Sequence, residues 1–572
     1  MRVRVLGSAA AAVAIAGCVK MPETRGFDPR SDTSQFSLAA ANVPEPQRPE
    51  LTTQLDETFF GTDARKLRDL ATQDFLIKPI DDSPLVRKLD LRTAIQRAVV
   101  SNLEVKVAGF APGIEETRVV EAEARFDPTW FTNITGERRN SLTTAGLFGS
   151  QPGGLALDNQ DNGTAQTGLR QLLQSGGELR LQYQTQAIDF KGGQRDFGPT
   201  WLNEASLQLT QPLLRDFGNE INRARILINR NTQQISVLDF RLRLEETIFD
   251  IERTYWQLHQ ATVDARVLQR LVERTYETTI ITAGRGANDA DRTQISQANA
   301  ELETRRVELS RALSRVGVLS DQLKRLINDP ELPVGGPELI RPTTEPADQP
   351  IVFTWKEQID AAMLNRAEVG QQLKRVDSAL VALGVARNNL LPRVDLIAEG
   401  ALQGAGEEFY SAVSNNVDLN DEWNYSMRVG LQIEVPLGNR AARAVMRRAQ
   451  LQHWQAIASY QNLAQQVTSE VTQSIRGVEE SYTAFVLARR ARFAADESLK
   501  SLEFRRENGE PLTPSFIDLL LRSQERLASL ARSEASALSD YNASLAQLER
   551  TKGTLLRYNN VLIQEDTLTG GR

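Results

Sequence analysis

A single cysteine, Cys18, stands in the 572 residues, and histidine occurs only at His259 and His453. A disulfide framework and a Cys/His metal centre within one chain are thereby excluded. Positive charge is not in excess: the formal net charge of −7 leaves no basic face for nucleic acid. No Gly-rich phosphate loop, nucleophile elbow or metal-ligand cluster is present, so no enzyme and no cofactor are expected. Proline, common elsewhere, is missing from Glu220 to Asn328 and from Arg440 to Glu510. Proline breaks helix interiors, so both stretches are free to form unusually long helices.

Each proline-free stretch follows the same short pattern. Leu207-Gln208-Leu209-Thr210-Gln211-Pro212-Leu213 reaches Gly218-Asn219 after a four-residue insert. Leu431-Gln432-Ile433-Glu434-Val435-Pro436-Leu437 runs straight into Gly438-Asn439. Alternating apolar and polar residues fit a strand with two different faces. Pro212 and Pro436 end the strands, Gly218 and Gly438 follow in the turns, and the asparagines are expected to cap the next helices. A second repeat supports duplication: Ile95, Ala98, Glu104 and Val105 match Ile359, Ala362, Glu368 and Val369.

The amino-terminal residues carry an address. Arg2 and Arg4 precede an apolar core, Leu6 to Ile15, too short to span a bilayer, and Ile15-Ala16-Gly17-Cys18 follows. These four residues resemble the bacterial lipobox, which makes residues 1–17 a lipoprotein signal peptide and Cys18 the lipidated first residue of the mature chain. The alternative is an ordinary signal peptide with an incidental cysteine. Val19 after the cysteine, by the same resemblance, favours the outer membrane.

Residues 18–88 read as a proline-rich periplasmic arm with a short helix near Ala64 to Phe75. The first repeat, 89–328, is expected to hold short helices, strands at about 129–139 and 203–213, and long helices at about 219–283 and 289–328. An insertion of about 40 residues adds a loop over 140–165 and a hairpin at about 168–188, whose place in the fold stays open. A Pro/Gly-rich linker, 329–353, leads to the second repeat, 354–563, with strands at about 393–403 and 424–437 and helices at about 439–508 and 512–563. Residues 564–572 form a tail.

The long helices carry heptad stripes: Leu244, Ile248, Ile251, Tyr255 and Leu258 on one face, Leu242, Phe249, Trp256 and Val263 on an adjoining one. In the second repeat Ile457, Tyr460, Ala464, Val467, Val471, Ser474, Val478, Tyr482 and Phe485 keep the spacing. Two stripes mean two neighbours, as in a ring of helices. Four amphipathic strands cannot close a membrane barrel, which takes at least about eight, so several chains must share one. Trp130, Trp201, Trp423 and Tyr425 flank the strands and suit either a membrane interface or ordinary packing. His259 reads as a polar residue on a helix seam.

The closing stretch Asp540 to Leu556 resembles the terminal helix of TolC-like outer-membrane efflux proteins. So do Gln211-Pro212-Leu213-Leu214 with Phe217-Gly218, and the segment Leu364 to Leu396. The resemblance spans about residues 89–563. It implies a mainly α fold with a small transmembrane β part: a homotrimer whose 12-stranded β-barrel continues into a long α-helical periplasmic barrel. It further implies a passive exit duct of a tripartite efflux or type I secretion system, spanning outer-membrane lipid and docked to a periplasmic adaptor and an inner-membrane pump. Gate candidates by this resemblance are Asp518, Asp289 and Asp291, each with helix capping as the alternative role. Adaptor-docking candidates are Gly284, Arg285, Gly286, Gly509 and Glu510 in the helix-to-helix turns. The competing reading is a periplasmic coiled-coil adaptor or an envelope-bracing lipoprotein without a channel.

Overall fold

The computed structural model describes residues 86–144, 155–190, 200–285, 292–412, 424–511 and 513–561. The signal segment, Cys18, the arm up to residue 85 with its expected short helix, and the tail lie outside the described residues. The first unit runs β1 (Val86–Leu89), α1 (Leu91–Ser101), α2 (Leu103–Glu123), β2 (Thr129–Thr144), β3 (Leu155–Leu172), β4 (Glu178–Phe190), β5 (Thr200–Pro212), α3 (Asn219–Asn222), α4 (Ala224–Arg285) and α5 (Arg292–Ile327). The second runs β6 (Leu339–Pro342), α6 (Trp355–Asn365), α7 (Ala367–Asn388), β7 (Arg393–Gly406), β8 (Tyr425–Glu434), α8 (Arg440–Glu507), α9 (Pro514–Thr551) and α10 (Leu555–Tyr558).

The two units repeat one plan. α1 and α2 break at Asn102, and α6 and α7 break at the matching Arg366. Across each break the repeated residues are buried: Ala98 and Ala362 completely, Val105 and Val369 nearly so. The long helices α4 and α8 hold 62 and 68 residues, about 90 and about 100 Å at 1.5 Å per residue.

Four helices lie side by side at each level. Toward the strands the order is α2, α4, α7, α8; toward the helix-to-helix turns it is α5, α4, α9, α8. The stripe on α4 forms the seam, with Leu244, Ile248, Ile251, Tyr255 and Leu258 all 3% exposed or less. On α8 the seam runs through Val467, Val471, Ile475 and Val478, so Ile475 carries the buried position at which the heptad reading placed Ser474. The Ser474 hydroxyl instead meets the Thr551 hydroxyl at 3.0 Å.

Two helix boundaries differ from expectation. The chain after β5 makes the separate turn α3 before α4 begins, and α9 stops at Thr551 instead of continuing to about residue 563. Gly553 ends it at φ +68°, where a Cβ would come within 2.9 Å of the Asn365 carbonyl oxygen. Its own carbonyl accepts from the Arg241 guanidinium at 2.6 Å. The reversal brings Leu555 and Leu556 of α10 into the core.

The proline-rich linker is less open than its composition implies. Its strand β6 pairs in parallel with β1, Val86 opposite Leu339 and Leu89 opposite Pro342. The buried Tyr255 hydroxyl clamps this pair to α4: it donates to the Leu89 carbonyl at 3.0 Å and accepts from the Thr343 and Thr344 N–H groups at 3.0 and 2.9 Å. Tyr255→Phe is expected to cost about 1–3 kcal/mol, since three backbone groups lose a partner. A lower melting temperature, with earlier proteolysis in residues 329–353, checks this.

Among the described residues, six strands form one antiparallel sheet in the order β2-β3-β4-β5-β7-β8. The four expected strands and the two of the hairpin whose place was left open make up these six, and the hairpin is longer than the expected 168–188. β3 and β4 lie between β2 and β5, and the expected loop over 140–165 gives its ends to β2 and β3. Residues 155–165 are rich in Asn, Asp and Gly, yet they pair with Ile134 to Thr144 opposite. Ladder hydrogen bonding outweighs the weak intrinsic preference of such residues.

Candidate channel wall and periplasmic mouth

Side chains alternate across a sheet, so its register assigns every residue to a face. On one face stand Trp130, Leu169, Leu181, Leu207 and Met427, joined through Gly400 by successive pairings from β2 to β8. Tyr425, Val429, Leu431 and Ile433 extend this apolar face along β8, where all are more than 60% exposed. The opposite face is polar. Gln166 donates to Gln184 at 2.9 Å, Gln403 donates to Glu204 at 2.9 Å, and Arg428 lies 3.6 Å from Glu399. The Arg180 guanidinium also sits over the Phe131 ring, 5.0 Å from its centroid.

Three of the aromatics that flank the strands, Trp130, Trp201 and Tyr425, fall on the apolar face, at its two ends. Trp130 opens β2 beside the helices, while Trp201 and Tyr425 begin β5 and β8 at the far end. Trp201 packs edge-on against Phe409 with centroids 5.4 Å apart. Trp423 lies outside the described residues.

Where strand becomes helix, the predicted turn residues occupy the turns. Pro212 closes β5 opposite Asp395, and Gly218 takes φ +105°. Beyond Pro436, Gly438 takes φ +83° and Asn439 the left-handed φ of +39°. These two glycine angles are ones that side chains rarely adopt. The expected asparagine caps do not form. Gly218 holds the cap position of α3, and Asn439 donates its side-chain amide to the Leu390 carbonyl at 3.1 Å, tying α8 to the end of α7.

At the other end of the long helices, Gly284 and Arg285 close α4; Gly286, Asp289 and Asp291 lie outside the described residues. The second turn is visible. Gly509 takes φ +83°, and both Glu510 oxygens accept from Arg505. This pairing holds the Glu510 carboxyl below its ordinary range and raises the Arg505 guanidinium. The same guanidinium rests 5.6 Å from the Phe516 ring centroid. Thr513 caps α9 by accepting from the Phe516 N–H, so Asp518 is free of that duty. Asp518 is half exposed and pairs with Arg522 one turn on, at 3.1 Å.

No family model matches the chain, and no curated protein matches it. Solved structures do. The Campylobacter jejuni CmeC outer membrane channel superposes with a TM-score of 0.57 at 14% identity, covering 81% of this chain and 86% of that one. The Vibrio cholerae outer membrane protein VceC gives 0.54 at 15% identity, over 81% and 96%. The open state of the Neisseria gonorrhoeae MtrE outer membrane channel gives 0.55 at 17% identity, over 81% and 89%. The fold is that of the TolC-like outer-membrane channels.

Within this TolC-like fold, several charged groups escape sequence reading because nothing local marks them. Arg305 of α5, 4% exposed, pairs with Glu301 and reaches across to Glu525 of α9 at 3.1 Å. Glu534 of α9 accepts from Arg489 at 3.0 Å and from Arg492, both on α8. Glu252 sits 3% exposed on α4 and accepts from the Asn559 amide at 2.6 Å. Burial pushes its carboxyl up to about 7, with Glu549 adding and Asn559 opposing. His259 faces Trp256 with ring centroids 6.0 Å apart and shares a cavity with Lys88, Arg266 and Arg341. Burial and then Arg266 lower its pKa.

Proposed function

We propose that the chain is the outer-membrane exit duct of a tripartite efflux or type I secretion assembly. Three copies close into one channel, and the duct passively conducts what an inner-membrane pump and a periplasmic adaptor deliver. One observation carries this reading: a sheet with one apolar and one polar face, open at both edges among the described residues, runs directly into helices about 100 Å long. Such a sheet cannot stand alone in lipid, where every edge N–H and C=O needs a partner. Four helices at each level make an arc that three-fold repetition turns into a ring of twelve. The arc's flanks carry the surfaces to be covered: Leu103, Val107, Phe110 and Ile114 on α2, and Leu451, Trp454 and Ile457 on α8.

In this reading Cys18 bears the lipid anchor in the outer membrane, and the helices hang in the periplasm. The turns at Gly284–Arg285 and Gly509–Glu510 meet the adaptor. Asp518, in three copies around the axis, draws cations to the mouth, and Arg522 beside it tempers the ring. The purified protein is expected to conduct in a planar bilayer, with Asp518→Asn shifting the reversal potential toward lower cation preference. An unchanged potential would remove Asp518 from the mouth. Absence of conductance altogether would favour an envelope-bracing lipoprotein. In-cell crosslinking from Arg285 or Glu510 identifies the adaptor.

A further inference from the structure

The hairpin β3–β4, inserted between strands that would otherwise be neighbours, changes the barrel itself. Resting on the duct reading above, we propose that this hairpin is part of the membrane wall, so that three copies of six strands close an eighteen-stranded barrel. The twelve-stranded ring expected from the family resemblance would need β2 beside β5. In this sheet β2 bonds to β3 and β5 bonds to β4, with the hairpin filling the whole gap.

Three independent features place the hairpin in the wall. Its faces continue those of its neighbours: Leu169, Leu181, Tyr183 and Ala187 join the apolar face. Arg170, Gln166, Arg180, Gln182, Gln184 and Gln186 join the polar one. A hairpin standing in water would have no use for an apolar face in register with a transmembrane one.

Its tip is also seated on the strand-to-helix turn. The Ser175 carbonyl accepts from the Gly218 N–H at 3.0 Å, and the Ser175 hydroxyl meets Gln211 at 2.9 Å. Gly176, at φ +92°, lies so close that a Cβ would come within 2.2 Å of the Asp216 carbonyl oxygen.

Finally, the strand count suits closure. Six strands alternate in direction, so the open edges β2 and β8 run oppositely and a neighbouring copy meets them antiparallel. β8 is exposed along nearly its whole length. The occupant of both edges is another copy of this chain.

The consequence is a wide outer opening. With strands about 4.8 Å apart and tilted about 40°, twelve give a backbone diameter of about 24 Å and eighteen about 36 Å. Eighteen strands fall in the class whose lumen is an open aqueous channel. The wall then admits solutes roughly 20 Å across once inward side chains are allowed for, and size selection is left to the periplasmic mouth.

Electron microscopy of the full chain in lipid nanodiscs tests this by counting strands in cross-section. Eighteen around a three-fold axis is the expected result. Twelve, with the hairpins off the wall of a hollow three-fold particle, would overturn the wider barrel and leave the duct standing. A solid or unsymmetric particle would overturn both. Thiol labelling gives a second measure, with the parent chain, whose one cysteine is Cys18, as control. Gln182→Cys should react with a membrane-impermeant maleimide about tenfold faster than Leu181→Cys, since only the former meets water. Equal rates would place both sides of the hairpin in solvent and defeat the proposal.

Discussion

Replacing Val107 and Phe110 together with aspartate is expected to convert the proposed three-chain assembly into folded single chains. Both side chains are 70% exposed in one chain, so neither change disturbs the fold. They belong to the stripe Leu103, Val107, Phe110, Ile114, spaced by four, three and four residues along α2, a helical seam without a partner among the described residues. In a closed ring this seam lies against α8 of the next copy. Burying an unpaired carboxylate there costs several kcal/mol at each position, and the cost recurs at all three junctions. Light scattering of the detergent-solubilised variant should give the mass of one chain, with helical circular dichroism unchanged. A variant that keeps the three-chain mass would show that this seam faces something other than a second copy.

Glu252→Gln is expected to stabilise the protein at alkaline pH. The folded carboxyl, at about 7, lies above its ordinary value of 4.5, so the folded chain binds this proton more tightly than the unfolded one. The associated stability is fully present below 4.5 and is lost as the pH rises through about 7. The loss amounts to about 3 kcal/mol per chain by pH 8. Glutamine keeps an oxygen for the Asn559 amide and never ionises, so the variant avoids that loss. Asp264, pushed up to about 6 by burial against the pull of Arg532 and Arg315, acts in the same direction. Melting temperatures at pH 5 and pH 8 decide the matter: the parent should fall across this interval and the variant much less. Parallel falls would mean that another group is responsible.

The helical frame was legible because its signals are local and periodic. Proline-free lengths, heptad stripes and the repeated short helices each need only a window of sequence, and Ala98 and Ala362, which match by spacing, are both fully buried. The strand-to-helix turns were equally plain from Pro212, Gly218, Pro436 and Gly438. What failed depends on distant partners. β3 is written in Asn, Asp and Gly, and only the opposing residues of β2 make it a strand. β1 and β6, more than 200 residues apart, pair through backbone groups that any sequence possesses. Asn219 and Asn439 had the right type for caps, yet Gly218 takes the cap position of α3, and Asn439, at a left-handed φ, donates to the Leu390 carbonyl instead of accepting from a helix N–H. Asp518 is singled out as a gate candidate only by the resemblance to TolC-like proteins, whereas Arg305 is one of many arginines until the fold brings Glu525 beside it.

That last contact bears on how the mouth of the proposed duct would move. α9 holds α5 through Glu525 and α8 through Glu534, so both helical hairpins are fastened to one shared rod. In the proposed duct, an iris built this way would have its two leaves linked within a subunit. Its dilation would either swing the two hairpins together or first pull Arg305 out of its carboxylate grip, and the proposed adaptor would gain leverage on one hairpin by grasping the other.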